Sequence, residues 1–134
     1  MSPERAGNEA DVVTKLSHRS VAETVSRLTE MITDKGMTLF AAIDQSAAAS
    51  QAGLQLRETV LVIFGNPAAG TLVMQAVPLA ALDLPLKVVI WDDSGQTKVT
   101  YYSPGALAGR HHLSPDLAAK LAGIDPLTDA LVSG

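Results

Sequence analysis

The chain is expected to adopt an α+β fold, a mixed sheet of about five strands packed against helices. Three observations carry this expectation. Ser20-Val21-Ala22-Glu23 forms a capping box, and Val21, Val25, Leu28 and Ile32 then recur at helical spacing. "ETVLVIF" is an apolar, β-branched run stopped by Gly65. "LKVVIWDD" and "KVTYYS" flank the turn-forming "DSGQ", an antiparallel hairpin. The predicted order is strand, helix, strand, helix, strand, helix, strand, strand, helices. Alternation up to the hairpin points to parallel neighbours, and the hairpin adds an antiparallel pair.

Taken in order, residues 1–10 are polar with a Pro and a Gly and read as a flexible tail, leaving 11–134 as one domain. "DVVTKLS" is a first strand with imperfect alternation. The capped helix runs from about Val21 to Lys35, and Gly36 stops it. "MTLFAAI" (Met37 to Ile43) reads as a buried strand, after which Asp44 caps an alanine-rich helix ended by Gly53. Near-continuous apolarity in "ETVLVIF" places that strand centrally with both faces covered. "TLVMQA" is helix-compatible, and Pro78 starts a second short helix to about Leu82. Ser103-Pro104, Ser114-Pro115 and Asp125-Pro126 read as three helix starts.

The 134-residue chain is 47% apolar, enough for a core without staples, and contains no cysteine for disulfides or metal. A net charge of −4 with scattered Lys and Arg argues against a nucleic-acid partner. "VLVIF", the longest apolar run, is too short to span a membrane, and "MSPERAGNEADVV" lacks the apolar core of a signal. The expected location is the cytoplasm.

"VIFGNPAAGTLVM" (Val62 to Met74) has the glycine spacing of a phosphate-binding loop. Thr71 and Leu72 stand where that loop needs Lys and Ser or Thr, which argues against nucleotide hydrolysis. A strand leading through Gly65, Asn66 and Gly70 into a helix still offers backbone N–H groups to a small anion. The plainer reading is a sharp turn, with Thr71 capping the helix. Asp83, between two leucines, reads as part-buried, tying its loop or lining a pocket. Asp44 reads as a cap or, with Asp83, as half of an acid–base pair. Adjacent His111 and His112 point apart and His18 is isolated, so no metal site is expected. There is no G-x-S-x-G elbow. Trp91, Tyr101 and Tyr102 lie on the hairpin, either stabilising the sheet or forming a dimer interface.

Taken together, "SVAETVSRLTEMITDKGMTLFAAID", "LVIFGNPAAGTLVMQ" and "AALDLPLKVVIWDD" resemble the family called domain of unknown function 302, over about Thr14 to Leu113. The resemblance implies an α+β fold in a bacterial-type protein often found as a dimer, and brings no activity. The family pattern maps onto Phe64, Gly65, Asn66, Pro67, Gly70, Thr71, Met74, Asp83, Leu84 and Pro85. Members often carry His where Gln45 stands and Pro where Glu58 stands. Gln cannot move a proton near neutrality, which weakens the case for catalysis.

The preferred expectation is therefore a small homodimeric binding or interaction module with no catalytic residue, cofactor or metal. Its cleft is expected between Gly65, Asn66, Gly70 and Thr71, the Asp44–Gln45 turn, and Asp83, holding a small anion or metabolite. Trp91 and Tyr101 are the expected interface. The alternative is a small enzyme using Asp83 or Asp44 as general acid or base, which requires a carboxylate with a raised pKa in a closed pocket.

Overall fold

The structure, a computed structural model, describes residues 11–134; the expected tail, residues 1–10, lies outside the described residues. The chain runs β1 (Val12–Ser17), α1 (Val21–Asp34), β2 (Thr38–Asp44), α2 (Gln45–Gln51), β3 (Thr59–Gly65) and α3 (Pro67–Ala76). A 3-10 helix (Pro78–Leu82) follows, then β4 (Leu86–Asp93), β5 (Gln96–Tyr102), α4 (Pro104–Arg110), α5 (Pro115–Ala119) and α6 (Ile124–Val132). The capping box forms as read: Glu23 N donates to Ser20 Oγ and Ser20 N to Glu23 Oε1, both at 3.1 Å. In the hairpin turn Ser94 and Gly95 have φ of 53° and 94°, the mirror-image turn whose twist suits antiparallel strands.

The five strands form one sheet in the order β1-β5-β4-β3-β2. The α+β class and the element order hold, but every ladder is antiparallel where a mixed sheet was expected. The reason lies in where each helix returns the chain. Asp44 pairs with Val60 and Phe64 with Leu86, so α2 and α3 leave and re-enter at the same end of the sheet. Only α1 crosses over, and it joins the two opposite edges, so β1 and β2 never pair.

One sheet face is covered by α1 and α6. Leu28, Ile32, Val62, Phe64, Val88, Ile90, Val99 and Leu131 are fully buried there, each contributing about 1.5–3 kcal/mol from burial. Tyr101 belongs to the same layer at 3% exposure. Its hydroxyl donates to Asp125 Oδ1 at 2.6 Å, and Lys15 Nζ lies 5.3 Å from its ring centroid and 2.7 Å from Asp129. Tyr101 is thus consumed by its own core and is not available to a partner. Asp125 sits inside α6 as the acceptor for Tyr101 rather than capping a helix, the place being taken by Gly123.

The other face is open. Val12, Leu16, Ile43 and Tyr102 are exposed on it, and Trp91 is half-buried, its indole N–H donating to Thr100 Oγ1 at 3.0 Å. Leu61 and Ile63 of β3 are half-buried, so that strand is covered on one face rather than two. β2, expected to be buried, is an outer strand whose residues are mostly exposed. Apolar composition reports that a strand is packed somewhere, not on how many sides. A second cluster, Val73, Ala80, Leu107 and Leu121, joins α3, the 3-10 helix, α4 and the segment after α5. Leu86 packs against both clusters.

Candidate functional site

β3 ends at Gly65 and the chain turns directly into α3. Asn66 is the cap: its Oδ1 accepts from Ala68 N at 3.0 Å and Ala69 N at 3.2 Å. Gly70 N donates to Asn66 O at 2.9 Å, and Pro67 has no N–H to offer. The first-turn amides of α3 are therefore engaged within the chain, and the expected anion nest is closed. Thr71 stands in the second turn and caps nothing; Asn66 holds that role because its carboxamide reaches two amides at once.

What the turn does border is a cavity of about 380 Å³. Gly65, Asn66, Pro67, Ala69, Gly70, Thr71 and Met74 form one wall. Ala81, Leu84, Pro85 and Leu86 face them, with Phe40 and the Lys120–Leu121 segment closing the remaining sides. Phe40 reaches this place through a bulge, since the β2–β3 register shifts between Leu39 and Ala41. A bulge bends a strand and re-aims a side chain, and Phe40 remains 51% exposed. A Cβ on Gly70 would meet only Met74 Cε, at 3.9 Å, so the glycine leaves room on the cavity side. The walls are overwhelmingly apolar, and Lys120 is the one charged residue among them. A second hollow of about 340 Å³ adjoins it, sharing Asn66, Leu86 and Lys120.

Asp83 faces elsewhere. It borders a separate hollow of about 200 Å³ with Leu82, Lys87, Tyr102 and Leu107. His111 Nε2 lies 2.6 Å from its Oδ2, and Arg110 Nη1 lies 3.1 Å from both oxygens. Burial pushes the carboxyl upward, but the bonds from His111 and Arg110 and their charges outweigh it, holding Asp83 below the ordinary carboxylate value. His111, which the sequence offers only as a poor metal ligand beside His112, is this acid's partner.

Asp44 accepts from Ser46 Oγ at 2.6 Å and Ala47 N at 2.9 Å, and these bonds hold its pKa down. The cap reading of Asp44 holds. It pairs with Val60, five residues along β3 from Gly65, which puts it about 17 Å from the turn. Gln45 begins α2, exposed, at that same far end. The structure thus gathers Gly65, Asn66, Gly70 and Thr71 around one cavity and leaves Asp44, Gln45 and Asp83 off its walls. Neither acid has the raised pKa in a closed pocket that acid–base catalysis requires. Among the described residues no three His, Asp or Glu side chains come close enough to hold a metal ion.

Phe40 and Lys120 escaped sequence reading. A bulge in "MTLFAAI" has no local signature, and a single lysine in an alanine-rich segment reads as a solvated charge.

No helix among the described residues is long and apolar enough to cross a membrane. Among known proteins, the chain is 43% identical over 115 residues to a protein of Brucella suis biovar 1 (strain 1330) named "Fluoride-specific ion channel FluC 1", covering 84% of this chain and 45% of that protein. A protein of the same name from Brucella abortus biovar 1 (strain 9-941) is also 43% identical over 115 residues, covering 84% of this chain and 43% of that protein. The chain thus spans less than half the length of these curated relatives. The crystal structure of an uncharacterized conserved protein DUF302 from Bacillus stearothermophilus shares the fold, with a TM-score of 0.77 at 24% identity over 90% of this chain and 94% of that one. The profile of the family described as "Domain of unknown function DUF302" matches residues 12–131. The chain belongs to the DUF302 family.

Proposed function

We propose that the chain is a small binding module without catalysis of its own, taking an apolar or amphipathic small molecule in the cavity beside the β3–α3 turn. One observation carries the reading. Gly65, Asn66, Pro67, Gly70, Thr71 and Met74, together with Leu84 and Pro85, converge on a single cavity of about 380 Å³ from two separate segments. That volume falls within the roughly 300–1,000 Å³ of ligand pockets, which are mostly apolar with few polar groups. Thermal-shift measurement with a panel of small apolar compounds tests it. The native chain is expected to gain stability with some of them, and Gly70→Leu, which fills the cavity from α3, to gain none. A panel without effect on the native chain refutes the reading.

The module acts in the cytoplasm as a homodimer, with a second copy on the open sheet face around Trp91, Leu16 and Ile43. The exposure of Leu16 and Ile43 supports this. Sedimentation of Leu16→Lys tests it: a dimer for the native chain and a monomer for the variant are expected.

A second reading rests on the 43% identity to proteins named fluoride-specific ion channels. Here the chain works beside a membrane channel as its part outside the bilayer. Fluoride flux measured with and without the chain decides it, and an unchanged flux removes the reading.

A further inference from the structure

Most cations of the described chain are already engaged. Lys15 pairs with Asp129, Arg57 and Lys98 with Asp93, and Arg110 with Asp83. Arg19, Arg27 and Lys87 donate to backbone carbonyls. Two are left, Lys35 and Lys120, both exposed and in no ion pair among the described residues. Both border the second hollow, in company with Met37, Phe64 and Asn66, and Lys120 also borders the apolar cavity. No Asp or Glu lines either hollow. In a chain of net charge −4, two ammonium groups on the second hollow, one of them also on the cavity, with no acidic residue among the linings, are a local reversal of sign.

The geometry points to an amphipathic anion as the ligand, with its apolar tail in the cavity between Phe40 and Met74 and its terminal carboxylate or phosphate between Lys35 and Lys120. The inference rests on the cavity reading above and adds the chemistry of the ligand's head. An apolar cavity rewards a tail by removing it from water. It cannot take a charge without a partner, because burying an unpaired ion is costly. Lysine supplies that partner as a point charge on a long flexible stem, so a pair can follow one anion without a rigid cage. The closed amides of α3 cannot serve instead, since Asn66 and the helix already use them.

Titration calorimetry with octanoate, octyl phosphate, octanol, acetate and inorganic phosphate separates the contributions. Octanoate or octyl phosphate is expected to bind about tenfold more tightly than octanol, the effect of one charge-assisted contact. The stronger of the two names the head. Acetate and inorganic phosphate, lacking a tail, are expected not to bind. Lys35→Gln and Lys120→Gln are each expected to bring the anion down towards octanol, and Gly70→Leu to abolish all binding. Phe40→Ala, at a half-exposed wall, is expected to weaken every tailed compound alike, and serves if Gly70→Leu does not fold. If octanol matches octanoate and octyl phosphate and the lysine variants change nothing, the anionic head is overturned while the cavity reading stands. If no tailed compound binds the native chain, both fall.

Discussion

The chain passes twice from a strand into a helix through an Asx cap, at Asp44 and at Asn66, and the two junctions differ in all but that local code. At Asp44 the side chain ties down Ala47 and Ser46, and α2, which follows, has no buried residue. At Asn66 the side chain holds Ala68 and Ala69, the strand before it carries fully buried Phe64 next to its last residue, and the helix after it buries Val73. The first junction belongs to the outer strand β2, the second to β3, which has a neighbour on each side. A cap fixes where a helix starts; what stands opposite decides whether a cavity forms there. Opposite Asn66 stand Pro85, Leu86 and the bulged Phe40.

Substitutions sharpen the contrast, beginning with the last large residue of each strand. Phe64→Ala is expected to cost about 3–5 kcal/mol in denaturant unfolding. Ile43→Ala, on the open face, is expected to cost about 1 kcal/mol. Equal losses would mean that the two junctions are packed alike. Next comes Asp83→Asn, on the separate hollow just before Leu84 and Pro85, with an expected cost of about 1–3 kcal/mol at neutral pH from its charge-assisted bonds. The sign of its pH dependence follows from a folded pKa below the unfolded one. The contribution is complete above the unfolded carboxylate pKa and is lost as pH falls through the folded value. The native chain should therefore lose more stability on acidification than the variant, and parallel acid limbs would contradict the pairing.

The caps themselves are expected to differ in kind. Asn66→Ala should cost about 1 kcal/mol at every pH, since a carboxamide does not titrate. Asp44→Ala should cost less at pH 7, and its loss should vanish as the native carboxylate protonates below its depressed pKa. A pH-dependent Asn66 effect or a constant Asp44 effect would erase the distinction. Smallest of all, Thr71→Ala is expected to change stability by less than about 0.5 kcal/mol, because the threonine caps nothing.

These differences mark what can be read from local sequence. The Ser20 box, the hairpin turn and the Ser103 and Ser114 caps are local codes, and each forms where the residues place it. Strand direction was less legible. Helices between strands read as crossovers, yet the pairing of Asp44 with Val60 depends on where the chain returns, which no residue between them states. The same holds for partners. Arg110 and His111 meet Asp83 across 27 and 28 residues without any periodicity to announce it. For the cavity, Gly65 to Thr71 were legible as a special turn, whereas Phe40 and Lys120 arrive through a bulge and a loop. Tyr101 and Trp91 show the limit of face assignment. Tyr101 turns to the layer beneath α1 and α6, and Trp91 to the open side.

The bulge at Phe40 also bears on the margin of the sheet. One side of the cavity hangs from the outermost strand, which a single ladder fastens to the rest. An edge strand held by one ladder opens locally at lower cost than strands paired on both sides. The same kink interrupts the even row of amides along the rim, so a foreign strand finds no straight template to extend there.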